Sequence, residues 1–139
     1  MRSNTPILLV EDDDVDILST QRAFSELSIS NPLIITKNGE DALEYLMRSD
    51  NVRPGLILLD LNMPRVSGIE FLRQYKSVDR LKWIPAVVLT TSANHRDIQD
   101  AYMHQTAGYM VKPLNFDEFK DVIKDIYEYW RRCELPDHH

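Results

Sequence analysis

The chain has 139 residues, of which 43% are hydrophobic and 27% charged, as expected for one soluble globular domain with a buried core. Its formal net charge of −6 disfavours non-specific nucleic-acid binding, because recognition of a polyanion needs a concentrated basic surface. The single cysteine excludes an intrachain disulfide and favours a reducing compartment, and no apolar run has the length of a signal peptide or a membrane span. We therefore expect a cytoplasmic protein that binds neither membrane nor nucleic acid.

Short apolar runs alternate with helical patterns along the chain. Each run has turn-forming or polar neighbours, which is typical of strands buried on both faces of a parallel sheet. The predicted strands are 7–10, 33–36, 56–59, 86–89 and 108–111, and the predicted helices are 15–27, 42–47, 69–75, 95–105 and 116–130. Asn38-Gly39 is predicted to be a turn, and Asn115 with Glu118 to start the last helix. Five strand–helix repeats predict a three-layer α/β sandwich, whose strand order the pattern alone leaves open.

Polar residues follow four of the predicted strands. Glu11 and Asp12 come after the first strand, Asp60 after the third, Thr90 after the fourth and Lys112 after the fifth. Each of them alone could be a helix start, a turn residue or a solvated side chain. Together they stand at the carboxyl ends of parallel strands, the edge where open α/β sheets bind their ligands. Their joint occurrence predicts a functional site.

The predicted site would bring three carboxylates together, and these repel one another. Either one carboxyl stays protonated or a cation binds, and a hard divalent ion such as Mg²⁺ suits oxygen ligands. With the ammonium of Lys112 and the hydroxyl of Thr90, such a site is suited to placing a phosphoryl group on a free carboxylate. Asp13 and Asp14 are better explained by the positive end of the first helix and are left out of the site.

The chain resembles the receiver domain of two-component response regulators over nearly its full length. The resemblance is carried by LLVED at 8–12, LLDLNMP at 58–64 with Gly68, VLTT at 88–91 and GYMVKP at 108–113. It implies a flavodoxin-like (βα)5 fold with a parallel sheet in the order 2-1-3-4-5. It also implies a signalling protein that catalyses only its own phosphorylation and slow dephosphorylation, and not an enzyme acting on other substrates.

The resemblance also implies roles for the acidic residues. Asp60 would accept a phosphoryl group from the phosphohistidine of a sensor histidine kinase. Mg²⁺, or Mn²⁺ in its place, would be bound by Asp12, Asp60 and the backbone carbonyl of Asn62. Glu11 replaces the commoner aspartate and would act on the metal mainly through water.

Further roles are implied for residues at the ends of the last two strands. Lys112 would hold the phosphoryl oxygens, and its peptide bond to Pro113 would be cis. Thr90 would move toward the phosphoryl group, and Tyr109 would follow it inward. Thr91 stands where a smaller residue is usual, and we hypothesise that it slows dephosphorylation by narrowing the path of attacking water.

The end of the chain gives expectations about output. Nine residues follow Trp130, so we expect a single receiver domain over 1–139 without an effector domain, and a loose tail over 134–139. The extended last helix resembles that of stand-alone regulators serving bacterial phytochromes, which makes a bacteriophytochrome a candidate kinase partner. Tyr127, Tyr129 and Trp130 cannot all face inward, so we predict a homodimer through the fifth strand and the last helix.

Three alternative functions are weighed against this one. A haloacid-dehalogenase-type phosphatase would need an aspartate two residues after Asp60, where Asn62 stands. A flavin carrier would need a phosphate-binding loop after the first strand, where four acids at 11–14 would repel phosphate. A degenerate receiver would have lost some of the chemical groups, and all of them are present.

Overall fold

The computed structural model describes residues 1–63 and 65–136, which contain five strands alternating with five helices. The strands are β1 (Ile7–Val10), β2 (Leu33–Thr36), β3 (Leu56–Leu59), β4 (Ala86–Thr90) and β5 (Gly108–Val111). The helices are α1 (Asp14–Glu26), α2 (Gly39–Met47), α3 (Gly68–Lys76), α4 (His95–Met103) and α5 (Phe116–Trp130). All ten predicted elements are present. Within the described ranges, no helix has both the length and the apolarity needed to cross a membrane.

The five strands form one parallel sheet in the order β2-β1-β3-β4-β5, which confirms the flavodoxin-like fold. Successive side chains of a strand point to opposite faces of the sheet. One face packs against α2, α3 and α4, and the other packs against α1 and α5. Because both faces of β1, β3 and β4 are covered, these strands are continuous apolar runs rather than alternating ones.

Helices α1, α2 and α3 begin earlier than predicted, and in all three a side chain caps the first turn. Asp13 accepts hydrogen bonds from the N–H groups of the next turn, so α1 begins at Asp14. Asn38 accepts a hydrogen bond from the N–H of Asp41 and caps α2. The chain bends at Lys37 and Asn38, and Gly39, predicted to be part of the turn, is the first residue of the helix. A capping side chain satisfies N–H groups that have no partner within the helix, which favours these starts.

Helix α4 is shorter than predicted and weakly anchored. It ends at Met103, because Gln105 has a φ of 70° and a left-handed residue stops an α-helix. Of the nine residues of α4, all described, only Ala101 is buried. The helix therefore rests on the sheet through a small contact, and moving it would disturb little of the core.

The predicted loose tail lies partly outside the described residues, since 137–139 are not among them. Its described part, 134–136, lines an open groove of about 850 Å³ together with the loops that precede β3 and β4. This groove is at the amino end of the sheet, opposite the predicted site.

Candidate functional site

The ends of β1, β3, β4 and β5 meet at the carboxyl edge of the sheet. The backbone N–H of Asp60 donates to the carbonyl of Val10 at 3.0 Å, and the N–H of Lys112 donates to the carbonyl of Thr90 at 2.7 Å. These bonds continue the strand ladders by one residue beyond β3 and β5. The sheet itself therefore fixes the backbone from which Glu11, Asp60 and Lys112 project.

Three carboxylates converge at this edge. One oxygen each from Glu11, Asp12 and Asp60 lies within 4.8 Å of the others. Glu11 and Asp60 are buried, with exposed fractions of 2% and 8%, whereas Asp12 is exposed. Buried carboxylates at this distance need a compensating positive charge. The all-oxygen donor set fits a hard divalent cation such as Mg²⁺ or Mn²⁺ and does not suit softer metals.

Glu11 shows the electrostatic strain of the cluster. Burial raises the pKa of its carboxyl to about 7, and the charge of Asp60 adds to the rise, while the hydrogen bond from Lys112 opposes it. The proton of Glu11 is therefore released close to neutral pH, and a cation bound at the cluster would favour that release.

Lys112 supplies the positive charge inside the site. Its side chain is only 7% exposed, and its Nζ lies 2.5 Å from Oε2 of Glu11 and 2.8 Å from Oδ2 of Asp16. Burial disfavours the charged ammonium, but the hydrogen bonds to Asp16 and Glu11 outweigh it and raise the pKa of Lys112. The ammonium is directed toward β1 and α1, and among the described residues no hydrogen bond joins it to Asp60.

The peptide bond between Lys112 and Pro113 is trans, so the predicted cis bond is wrong. The trans form of a prolyl bond is favoured by about 0.5–1 kcal/mol unless surrounding contacts select the other form. In the trans form Lys112 already reaches both of its carboxylate partners, so neither contact requires the cis form.

Thr90 ends β4 as a fully buried residue. Its Oγ1 has no hydrogen-bond partner within the described part of the chain. An unpartnered buried hydroxyl costs about 1–3 kcal/mol, so this oxygen would gain from any polar group brought to the sheet edge.

Tyr109 connects β5 to the loop after β4. Its ring is half-buried against the α2–α4 side of the core, and its hydroxyl donates to the carbonyl of Ser92 at 2.8 Å. Ser92 lies two residues beyond Thr90, so the tyrosine holds the segment that leads away from the site.

The loop after β3 is held against the site by Gly68, the first residue of α3. Its N–H donates to the carbonyl of Leu61 at 3.1 Å, and a Cβ at this position would lie 2.4 Å from the carbonyl oxygen of Asp60. Only glycine allows so close an approach. Asn62 lies in this loop with its side chain exposed, and Pro64, part of the motif, lies outside the described residues.

Asp16 is the site residue that sequence reasoning missed. The sequence pattern assigns Asp13 and Asp14 to the positive end of the first helix, and Asp13 does cap α1. Asp16 is the third residue of α1, and side chains in the first turn of a helix lie near the preceding strand end. That position was the available signal, although its partner Lys112 lies 96 residues away.

The fold and the site define a receiver domain of two-component signalling. Residues 7–124 match the response regulator receiver domain family, and the chain belongs to that family.

Several relatives resemble the chain over most of their length. It is 39% identical to the probable methanogenesis regulatory protein FilR2 of Methanothrix harundinacea, over 89% of this chain and 82% of FilR2. It is 37% identical to the response regulator Rcp1 of Synechocystis, over 92% of this chain and 91% of Rcp1. The Mn²⁺-bound form of Rcp1 has a TM-score of 0.88 to this structure. The phosphorylated cyanobacterial phytochrome response regulator RcpA has a TM-score of 0.90 at 36% identity, covering 96% of this chain and 99% of RcpA.

Proposed function

We propose that Asp60 is the phosphoacceptor of a two-component phosphorelay and takes its phosphoryl group from the phosphohistidine of a sensor histidine kinase. The observation that carries this proposal is the convergence at one sheet edge of Asp60 with two further carboxylates, a buried ammonium and an unpartnered hydroxyl. An acceptor, a charge to offset the phosphoryl oxygens and a hydroxyl to bind one of them are the groups that phosphoryl transfer requires.

The transfer follows from these groups. One carboxylate oxygen of Asp60 attacks the phosphorus, the P–N bond of the phosphohistidine breaks, and its electron pair remains on the imidazole nitrogen. Lys112 and Thr90 donate hydrogen bonds to the phosphoryl oxygens. The products are an aspartyl phosphate on this chain and the free histidine of the kinase. The protein thereby acts on itself alone, as a signalling phosphoacceptor.

Glu11, Asp12, Asp60 and the backbone carbonyl of Asn62 would hold the divalent cation, Mg²⁺ or Mn²⁺. The spacing of the three carboxylates supports this assignment, and so does the Mn²⁺-bound form of the relative Rcp1. When bound, the cation supplies positive charge that offsets the negative phosphoryl oxygens.

Thr90 and Tyr109 would carry the signal outward. The unpartnered hydroxyl of Thr90 turns to a phosphoryl oxygen, and Tyr109 moves inward and gives up its hydrogen bond to Ser92. The face formed by α4, β5 and α5 then repacks. The small buried contact of α4 through Ala101 supports this route, because such a helix moves at little energetic cost.

The outputs of this switch would be contacts with other proteins in the cytoplasm. The likeness to RcpA, and to the bacteriophytochrome response regulator RtBRR at 38% identity, supports a bacteriophytochrome kinase as the partner. Large apolar side chains exposed on α4, on α5, on β5 and in the loop after it support a homodimer through the fifth strand and last helix. They are Tyr102, Met103, Val111, Leu114 and Tyr129.

The phosphoacceptor role is tested by incubating the protein with Mg²⁺ and a small phosphodonor such as acetyl phosphate. We expect intact-mass measurement to show one phosphoryl group on the parent and on Asp14→Asn, and none on Asp60→Asn. Asp14 is a matched control, because it is an exposed aspartate near the site that pairs with Lys37. An unmodified parent, or equal labelling of Asp60→Asn, would overturn the proposal.

A further inference from the structure

The ammonium of Lys112 has a partner outside the three-carboxylate cluster. Oδ2 of Asp16, in the first turn of α1, lies 2.8 Å from Nζ, and the side chain of Asp16 is 31% exposed. An ammonium has three N–H donors. Two of them point to the carboxylates of Glu11 and Asp16.

We propose that Asp16 is a positioning residue that holds Lys112 toward α1 and away from Asp60 until a phosphoryl group arrives. This inference rests on the proposed role of Asp60 as phosphoacceptor. No hydrogen bond joins the ammonium to Asp60 in the described residues, because both of its carboxylate partners lie on the β1 and α1 side. To donate to a phosphoryl group on Asp60, Lys112 must turn away from one of these partners.

Of the two contacts, the one to Asp16 is the one that opens. The side chain of Glu11 is only 3% exposed, so water has almost no access to replace the ammonium at its carboxylate. Asp16 is partly exposed, so water can replace the ammonium at its carboxylate, and the loss is as small as for a surface ion pair. The strength of the Asp16 contact therefore sets how readily Lys112 turns to Asp60.

The negative charge of Asp16, like its contact with Lys112, opposes phosphoryl binding at Asp60. Asp16 stands beside the site, so it attracts a divalent cation and repels a phosphoryl group. Replacing its carboxylate with an amide should weaken cation binding and strengthen phosphoryl binding. A merely structural role predicts that both weaken, so the opposite signs distinguish positioning from support of the fold.

The test uses beryllofluoride, a phosphoryl mimic, and Mg²⁺ as separate probes on the full chain. Beryllofluoride affinity is measured by ¹⁹F NMR at saturating Mg²⁺, and Mg²⁺ affinity is measured alone by calorimetry. We expect Asp16→Asn to bind beryllofluoride about three- to fivefold more tightly than the parent, the range of a partly exposed ion pair, and to bind Mg²⁺ more weakly.

Two control variants define the expected pattern. Asp14→Asn removes the same charge from the same helical turn without touching Lys112, since Asp14 pairs with Lys37 at 2.8 Å, and it should match the parent. Asp16→Glu keeps the carboxylate and should restore parental affinities.

Equal or weaker beryllofluoride binding by Asp16→Asn would overturn the inference, and so would an equal gain in Asp14→Asn. If the parent itself fails to bind beryllofluoride in the presence of Mg²⁺, the proposed role of Asp60 fails, and this inference fails with it.

Discussion

Glu11 and Lys112 form the most buried ion pair among the described residues, with side chains 3% and 7% exposed. Removing water from both charges is costly, and such a pair stabilises a fold only when further contacts compensate it. Asp16 provides one such contact, and a divalent cation would provide another. At this scale the site is a set of charges that depend on one another.

The raised pKa of Glu11 predicts a pH dependence of stability in the metal-free protein. Its folded pKa of about 7 exceeds the ordinary glutamate pKa of 4.5, so its contribution to stability is complete below pH 4.5 and is lost as the pH rises through 7. Between pH 5 and pH 8, the free energy of unfolding of the parent should fall by on the order of 2 kcal/mol more than that of Glu11→Gln. Urea unfolding in EDTA at the two pH values measures both slopes.

Mg²⁺ gives the control for this prediction. Cation binding requires the ionised carboxylate, so added Mg²⁺ should stabilise the parent more at pH 8 than at pH 5. Parallel pH profiles of the parent and Glu11→Gln in EDTA would contradict the assignment.

Thr91 yields a second prediction at this scale. It is exposed directly after Thr90. We hypothesise that its side chain narrows the approach of water to an aspartyl phosphate. We expect Thr91→Ala to shorten the phosphoryl lifetime several-fold, measured as the decay of the phosphorylated mass after removal of the donor. Equal phosphoryl lifetimes of the variant and the parent would contradict the hypothesis that Thr91 slows dephosphorylation.

At the scale of elements, the loop after β3 and the first residues of α2 and α3 position the site as much as the strands do. Gly68 at the start of α3 lies against the carbonyl of Asp60. Gly39 at the start of α2 lies against the carbonyl of Val66, in the loop between β3 and α3. A Cβ at either glycine would lie 2.4 Å from a carbonyl oxygen. Helices on the α2–α4 side therefore hold the loop that carries Asn62.

Gly68→Ala should displace this loop. We expect it to lower the free energy of unfolding by about 1–3 kcal/mol, as overpacking does, and to slow phosphorylation of Asp60. Gly108→Ala is the matched control, since its Cβ would meet nothing closer than 3.8 Å, and it should stay within about 0.5 kcal/mol of the parent. Urea unfolding tests both, and equal stabilities would contradict the close contact.

The sequence predicts an element well where the local pattern of apolar residues determines it. It predicts the ends of elements poorly where capping side chains, backbone conformation or distant contacts determine them. Runs such as 56–59 are strands because only a doubly covered strand buries four consecutive apolar residues. The early start of α2 and the early end of α4 depend on a cap at Asn38 and a left-handed φ at Gln105. The contact of Asp16 with Lys112 spans 96 residues, which local patterns do not reveal.

On the scale of the whole molecule, β5 and α5 carry apolar side chains that the described residues leave exposed. Val111 at the end of β5 is 45% exposed, and Tyr129 on α5 is 63% exposed. Trp130 packs edge-on to Tyr129 with ring centres 4.9 Å apart. The proposed homodimer would cover these side chains, since exposed apolar surface marks interaction sites.

This surface predicts that Val111→Asp weakens a homodimer. Light scattering of the 16.2 kDa chain should give about twice that mass for the parent with beryllofluoride, and the monomer mass for the variant. Met47→Asp is the control, because Met47 is 52% exposed at the end of α2, which packs beside β2 at the edge of the sheet opposite β5. A monomeric parent, with and without beryllofluoride, would count against the dimer.

The hydrogen bond from Tyr109 to Ser92 has a consequence for information flow. Phosphorylation is proposed to break it from the inside, and a partner docked on the outer face would favour or oppose the same change. Suppose that a partner binds more tightly to the form in which this hydrogen bond is broken. Because linkage is reciprocal, that partner raises the affinity of the site for a phosphoryl mimic by the same factor as the mimic raises the affinity for the partner. The affinity of the site for a phosphoryl group would then depend on whether a partner is already bound to the outer face. Information would pass between the site and that face in both directions.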